Sequence, residues 1–293
     1  MFSKVIVGVD GRLGGRDAIA LAQRLAGPDG AITLANVFPG RNNPIRAVTP
    51  GKVEEDRQAA LALLERERDD ARVGTAELAA VEAPRPGRGL HEEAQRRDAD
   101  LLVLGTSHHG AIGRTFLGND TRAALEGAPC AVAVAPAGFS EQARPFATIG
   151  VGYDGSPESE AAIAVAKELA APTNARVEAL QLVTYPTYVF TGIVPPVGDG
   201  ITEMVKEADA AMREIPGVDG RAEYGLAGED LAAFSREVDL LVVGSRGYGP
   251  AKRLIAGSTA SYLQSHARSP LLILPRGTDY AAPPEGSRQE DVA

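Results

Sequence analysis

Tryptophan is absent from the sequence, aromatic residues make up only 5% of it, and there is a single cysteine. One cysteine excludes an intrachain disulfide. Cys130 sits in an apolar segment with no basic neighbour in sequence, which reads as a small buried hydrophobe and not a nucleophile. There is no basic excess either: Lys and Arg total 30 against 39 Asp and Glu, a formal charge of −9. That balance disfavours nucleic acid as a main partner, whose phosphates ask for a basic face. It leaves room for one bound nucleotide, which needs only local donors. No apolar run approaches the length of a membrane span. The chain opens on the strand-like run Lys4-Val5-Ile6-Val7 where a signal peptide would stand, so the expectation is a cytoplasmic protein without a membrane segment. What is present is length: 293 residues, enough for two domains with a sizeable core.

The most informative stretch runs from Asp239 to Ser258. Leu240 to Val243 is a short aliphatic run suited to a buried strand. It ends at Gly244, Gly247 follows, and Gly257-Ser258 opens an amphipathic segment. A strand that empties into a glycine-rich loop and then a helix start lets backbone N–H groups approach an anion, with the helix dipole in favour. Two readings fit these residues: a phosphate cradle, or an ordinary strand-to-helix connection with Ser258 as N-cap.

Taken in order, residues 5–9 read as a strand that ends in Asp10-Gly11. The helical spacing of Ala18, Ile19, Ala22 and Leu25 predicts a helix to Ala26. Gly27-Pro28-Asp29-Gly30 reads as a turn before a strand at 31–37. A proline-containing loop at 39–51, a charged amphipathic helix at 52–72 and a strand at 75–81 follow. A turn at 84–89 and a short helix through Arg97 lead to a strand at 101–104 that stops at Gly105. A helix from about Asn119 and a strand at 131–135 complete the unit. The chain then repeats itself. Asp154-Gly155-Ser156 matches Asp10-Gly11-Arg12, the run Asp239 to Gly244 matches Asp100 to Gly105, and Pro275 matches Pro136. The offset is a constant 139 residues from the fourth strand to the fifth but 144 at the first-strand aspartates, so the second copy carries a net deletion of five residues in between.

The expected organisation is a first domain at 1–138, a linker at 139–145, a second domain at 146–276 and a disordered tail at 277–293. The fold class is α/β: two tandem doubly wound Rossmann-like domains, each with a five-stranded parallel sheet. In such sheets ligands sit beyond the carboxyl ends of the strands, at the switch in strand order. Asp10 and Asp154 lie at first-strand ends, and Gly105 and Gly244 at fourth-strand ends, so one ligand per copy can touch both features.

With these residues in view, the chain resembles a tandem universal stress protein over everything but the linker and tail. The resemblance rests on Val7-Gly8-Val9-Asp10-Gly11, on Val151-Gly152-Tyr153-Asp154-Gly155-Ser156, and on the glycine loops. In the nucleotide-binding branch of that family the loop reads Gly, two residues, Gly, nine residues, Gly, then Ser or Thr, and Gly244, Gly247, Gly257 and Ser258 match it in full. The resemblance implies that these residues hold the triphosphate, with Thr259 adding a donor. It also implies that Asp154 contacts the adenine or ribose side and that the backbone of Leu182 reads the adenine edge. It implies ATP, with or without Mg²⁺, together with dimerisation and a regulatory role under stress, and no dedicated reaction. The first copy departs from the pattern. His108 stands where the second glycine belongs, Gly110 aligns with Gly249, Gly118 is kept, and Asn119 replaces Ser258. Asp10 and Val37 remain on the adenine side and Gly105 on the phosphate side, so the second copy is expected to dominate binding.

Other chemistry fits less well. Adjacent His108-His109 are poorly placed to share an ion, and no metal site is expected. His91-Glu92-Glu93 lacks the second histidine of a zinc-protease helix and reads as a solvated helix start. Ser245 and Ser258 have no base supplied by the sequence, which favours donor or cap roles. Arg114 and Arg253 align across the copies, as phosphate counter-charges or as surface ion pairs. No P-loop, dinucleotide fingerprint or S-G-G-x-D-S pyrophosphatase loop is present. The expected function is an ATP-binding regulatory protein and not an enzyme. The alternatives are a scaffold of the same family that binds no nucleotide, or a slow ATP hydrolase. The apolar run 271–274 is expected to pair with another strand edge, either in a homodimer or with the other copy in the same chain.

Overall fold

The structure is a computed structural model, and it describes residues 1–39, 50–106, 119–142, 144–184, 199–245 and 257–276. The first copy contributes β1 (Phe2–Gly8), α1 (Leu13–Leu25), β2 (Ala26–Phe38), α2 (Pro50–Asp70), β3 (Glu77–Glu82), α3 (Pro86–Arg97), β4 (Leu101–Gly105), α4 (Asn119–Leu125) and β5 (Ala131–Ala135). The second contributes β6 (Thr148–Tyr153), α5 (Pro157–Ala170), β7 (Arg176–Val183), α6 (Asp199–Arg213), β8 (Asp219–Tyr224), α7 (Ala227–Phe234), β9 (Leu240–Gly244), α8 (Ser258–His266) and β10 (Leu271–Leu274).

Strand alternation sorts the apolar side chains into two layers. Val5, Val7, Leu101 and Val103 point to one face, with Ile19 and Leu21 of α1 and Leu169 of α5. Ile6, Leu102 and Leu104 point to the other, with Leu90 of α3 and Leu263 of α8. A sheet apolar on both faces is what continuous aliphatic strands encode, and helices cover both sides. Each copy is the doubly wound, five-stranded parallel sheet expected from its sequence, and the two are fused. The strand order is β3-β2-β1-β4-β5-β10-β9-β6-β7-β8. The junction is the antiparallel pair of β5 with β10, in register at Leu271↔Val134, Leu272↔Ala133 and Ile273↔Val132. The 271–274 run therefore pairs within the chain, β9 occupies its other side, and the sheet edges are β3 and β8. Because that one pair is antiparallel, the carboxyl ends of the two half-sheets face opposite ways.

Three local expectations are corrected. The Gly27–Gly30 segment does not end a helix with a separate turn but is a bulge inside β2, since Phe2 pairs with Ala26 and Lys4 already with Ala31. At Gly30 a Cβ would stand 2.8 Å from Phe2 O and 2.9 Å from Gly27 N, so only glycine fits this doubled-back path. The expected turn at 84–89 is helical from Pro86 onward, because the fixed φ of proline suits a first helical turn. His91-Glu92-Glu93 is accordingly mid-helix and not a solvated start: Glu93 is 4% exposed, and His91 Nε2 lies 2.6 Å from Ala124 O.

Candidate functional site

The site in each copy starts from one turn. Asp10-Gly11 and Asp154-Gly155 leave β1 and β6 with glycine φ values of +76° and +75°, a conformation that carries no penalty only for glycine. The aspartate holds the turn: Asp10 Oδ1 accepts from Arg12 N at 3.0 Å, and Asp154 Oδ1 from Ser156 N at 3.0 Å. Both turns sit at the switch point, where β1 lies between β2 and β4 and β6 between β7 and β9.

In the second copy Asp154, Leu182, Gly244, Gly257, Ser258 and Thr259 all line one cleft of about 160 Å³. Gly247 lies outside the described residues. The N-cap of α8 is Gly257 and not Ser258, and it has no side-chain cap, so the first N–H groups of the helix face the cleft without an internal acceptor. Tyr153 also lines the cleft. Its hydroxyl donates to Glu160, and that bond, with burial and the nearby Asp154, pushes the phenol up to about 12. Tyr153 therefore acts as a neutral wall.

In the first copy Asp10, Val37 and Gly105 line one cleft of about 280 Å³. Gly118 lies outside the described residues, and Asn119 begins α4 with its side chain undescribed. His108, His109, Arg114 and Arg253 are likewise outside. The two clefts differ at the helix that follows the aspartate. In α5, Ser156 caps the helix, accepting from Ser159 N at 3.2 Å. In α1 the N-cap is Arg12, with no side-chain cap, and its Nη1 lies 3.6 Å from Asp10 Oδ2. The first cleft is thus wider and has a cation at its mouth. The second has Glu158, paired with Arg276 at 3.4 Å, in the first turn of the helix beside it.

The glycines that end the fourth strands have a packing role. A Cβ on Gly244 would stand 2.6 Å from Glu158 Cβ and 2.9 Å from the Glu158 carbonyl, and one on Gly105 would collide with Gly14 O. The helix after the first strand crosses the end of the fourth strand there, which no local pattern in the sequence reveals. The sequence reading also missed Arg12, Leu13 and Tyr153 as cleft walls. Of these, Tyr153 was detectable as the residue before the strand-end aspartate. Ser245 is 1% exposed, and its buried Oγ has no partner among the described residues. Burial pushes the Cys130 thiol up to about 12, as expected of an inert cysteine. Among the described residues no group of three or more His, Cys, Asp and Glu is placed to hold a metal, and no helix is long and apolar enough to cross a membrane.

The fold and its two strand-end clefts define a doubly wound α/β protein built from two repeated units. Both units match the universal stress protein family model, over residues 1–136 and 145–275, and the chain belongs to that family. A universal stress protein of Mycobacterium tuberculosis (strain ATCC 25618 / H37Rv) is 28% identical over 183 residues, 60% of this chain. One from Mycolicibacterium smegmatis is 26% identical over 188 residues, 61% of this chain. Each match spans 62% of the relative's own length. The fold is shared with a universal stress protein from Archaeoglobus fulgidus DSM 4304, with a TM-score of 0.66, 14% identity, and coverage of 94% of this chain and 98% of that one. It is also shared with one described as putative from Pseudomonas aeruginosa UCBPP-PA14, with a TM-score of 0.64, 16% identity and coverage of 93% of each chain.

Proposed function

We propose that the chain is a regulatory protein that binds an adenine nucleotide, ATP above all, in the second strand-end cleft. The observation that carries this is the convergence of Asp154, Leu182, Gly244 and the uncapped start of α8 on one opening. Leu182 and Tyr153 offer apolar walls to a base, and the N–H groups of Ser258 and Thr259 offer donors to phosphate. At about 160 Å³ the cleft is below the usual range for small-molecule sites, about 300–1,000 Å³, so part of the nucleotide would lie at its mouth. The donors are main-chain groups, and among the described residues no acid–base pair is poised beside them, so occupancy and not turnover is the expected signal. Any Mg²⁺ would arrive with the phosphates, because the described residues supply no cage for it.

A second reading gives the first cleft a nucleotide as well. Its greater volume and the Arg12 cation at its mouth favour this. Calorimetric titration with ATP, with mass spectrometry of ligand released from the purified protein, tests both readings. One nucleotide per chain, lost in Gly257→Glu, is the expected result. Two per chain, with one surviving Gly257→Glu, would support the second reading. Absence of adenine-nucleotide binding in the wild type would overturn both.

A further inference from the structure

A separate groove lies at the other end of the second half-sheet, by the amino ends of β9 and β10. It encloses about 480 Å³, more than the 280 and 160 Å³ of the strand-end clefts. Three segments line it, and each supplies one arginine: Arg144 from the linker, Arg236 from the turn after α7, and Arg268 from the lead-in to β10. Ser235 holds two of these segments together. Its buried Oγ accepts from Arg268 N at 2.8 Å and donates to Ala232 O at 2.7 Å, which fixes the turn carrying Arg236 against the backbone of Arg268.

The two acids of the groove already have partners. Asp239 accepts from Ala147 N at 2.8 Å and Thr148 N at 2.9 Å, with Arg144 Nη2 at 3.5 Å. Glu237 accepts from Arg221 Nη2 at 3.2 Å. The Arg236 guanidinium has no partner among the described residues. Ser269, also in the wall, is 8% exposed, and its Oγ has no partner among the described residues. In a chain of net charge −9, a groove lined by three arginines against two acids is a local exception.

The first copy shows the neutralised form of the same corner. Arg97 stands three residues before Asp100, as Arg236 stands three before Asp239, and Arg97 is held by Glu93 at 2.5 Å and by Glu77. Four residues before Arg236, where Glu93 would stand, is Ala232. Pro129 and Cys130 hold the places taken by Arg268 and Ser269 in the second copy. The second copy has thus lost the internal acid and gained a cation and a hydroxyl.

We propose that this groove binds a small phosphate-bearing ligand, with Arg236 and Arg268 as the principal phosphate contacts. Planar guanidiniums match phosphate oxygens two at a time, and the volume lies within the range of small-molecule sites, about 300–1,000 Å³. The site is distinct from the nucleotide cleft and stands whether or not that cleft is occupied.

Titration of the full chain with inorganic pyrophosphate, in the absence of Mg²⁺, tests it, with inorganic phosphate as competitor. Wild type and Gly257→Glu are expected to bind pyrophosphate alike. The double variant Arg236→Gln, Arg268→Gln is expected to bind about tenfold or more weakly, and the single variant Arg236→Gln to keep the wild-type melting temperature, since Arg236 is exposed and its guanidinium has no partner among the described residues. Binding that disappears in Gly257→Glu and persists in the double variant would assign the anion to the strand-end cleft and overturn the proposal. Absence of pyrophosphate binding to wild type at millimolar concentration would overturn it too.

Discussion

Two buried carboxylates carry unusual weight for single residues. Asp17, on α1, is 1% exposed and accepts from Gly138 N at 2.9 Å, from Ser140 N at 2.8 Å and from Ser140 Oγ at 2.7 Å. It ties the end of the first copy to the short turn Phe139–Glu141 that begins the linker. Asp17→Ala leaves two backbone donors without their acceptor. It is expected to cost about 2–4 kcal/mol in urea denaturation and to open the 138–141 segment to limited proteolysis. Wild-type protease resistance at that segment would show that the anchor is dispensable. Glu93, on α3, is 4% exposed. Burial alone would raise its pKa, but the hydrogen bonds and charges of Arg96 and Arg97 outweigh it, and the carboxyl is held below its ordinary value of 4.5. A depressed carboxylate pKa means that the folded state binds fewer protons than the unfolded state near that value. The stabilisation is therefore full above about pH 4.5 and is lost as pH falls through the lowered value. Glu93→Gln should cost about 1–3 kcal/mol at pH 7, and the gap to wild type should narrow towards pH 3. An equal gap at both pH values would mean that the charge of Glu93 contributes nothing.

Between elements, the decisive contact is the crossing of α1 over the end of β4, and of α5 over the end of β9. A glycine at Gly244 answers a packing demand before any ligand does. Gly244→Ala should lower stability by about 1–3 kcal/mol without nucleotide, through overpacking against Glu158. Gly257→Ala, at φ −64°, should change it by less than about 0.5 kcal/mol. Denaturant titration of both ligand-free variants checks this, and equal effects would remove the packing explanation. The same contact marks how far the sequence could be read. Strand runs, helical spacing and the Asp-Gly turns are local patterns, so the elements, the repeat and the strand-end aspartates were legible. The bulge at Gly27–Gly30, the buried Glu93 and the crowding at Gly105 depend on chains that meet from far apart in sequence, and no window of residues contains them. The wider first cleft was hidden for a related reason. Its character comes from Arg12, Leu13 and Gly14 at the start of α1, while the differences between the copies legible in sequence lie in the glycine loop after β4, much of which is outside the described residues.

The whole molecule is one sheet because β10 inserts between β9 and β5. Leu271 and Leu272 are 2% and 0% exposed, and the two apolar layers run unbroken through the junction. An apolar strand that would be an adhesive edge in a single copy is satisfied inside the chain, so a second chain is not needed to cover it. The opposed strand directions also put the two clefts at opposite ends of the strands. A partner that reads the occupancy of one would therefore meet a different face from a partner that reads the other. Separation of the copies tests the junction. A fragment of residues 139–293 should expose β10 and self-associate through it. Added fragment 1–138, which carries the free edge of β5, should convert it to a one-to-one complex. The intact chain should be monomeric at the same concentration. Light scattering behind size exclusion reads all three masses. An intact chain that is dimeric, with the same association surviving Leu272→Pro, would place the oligomer contact at β3 or β8 and not at the β5–β10 seam.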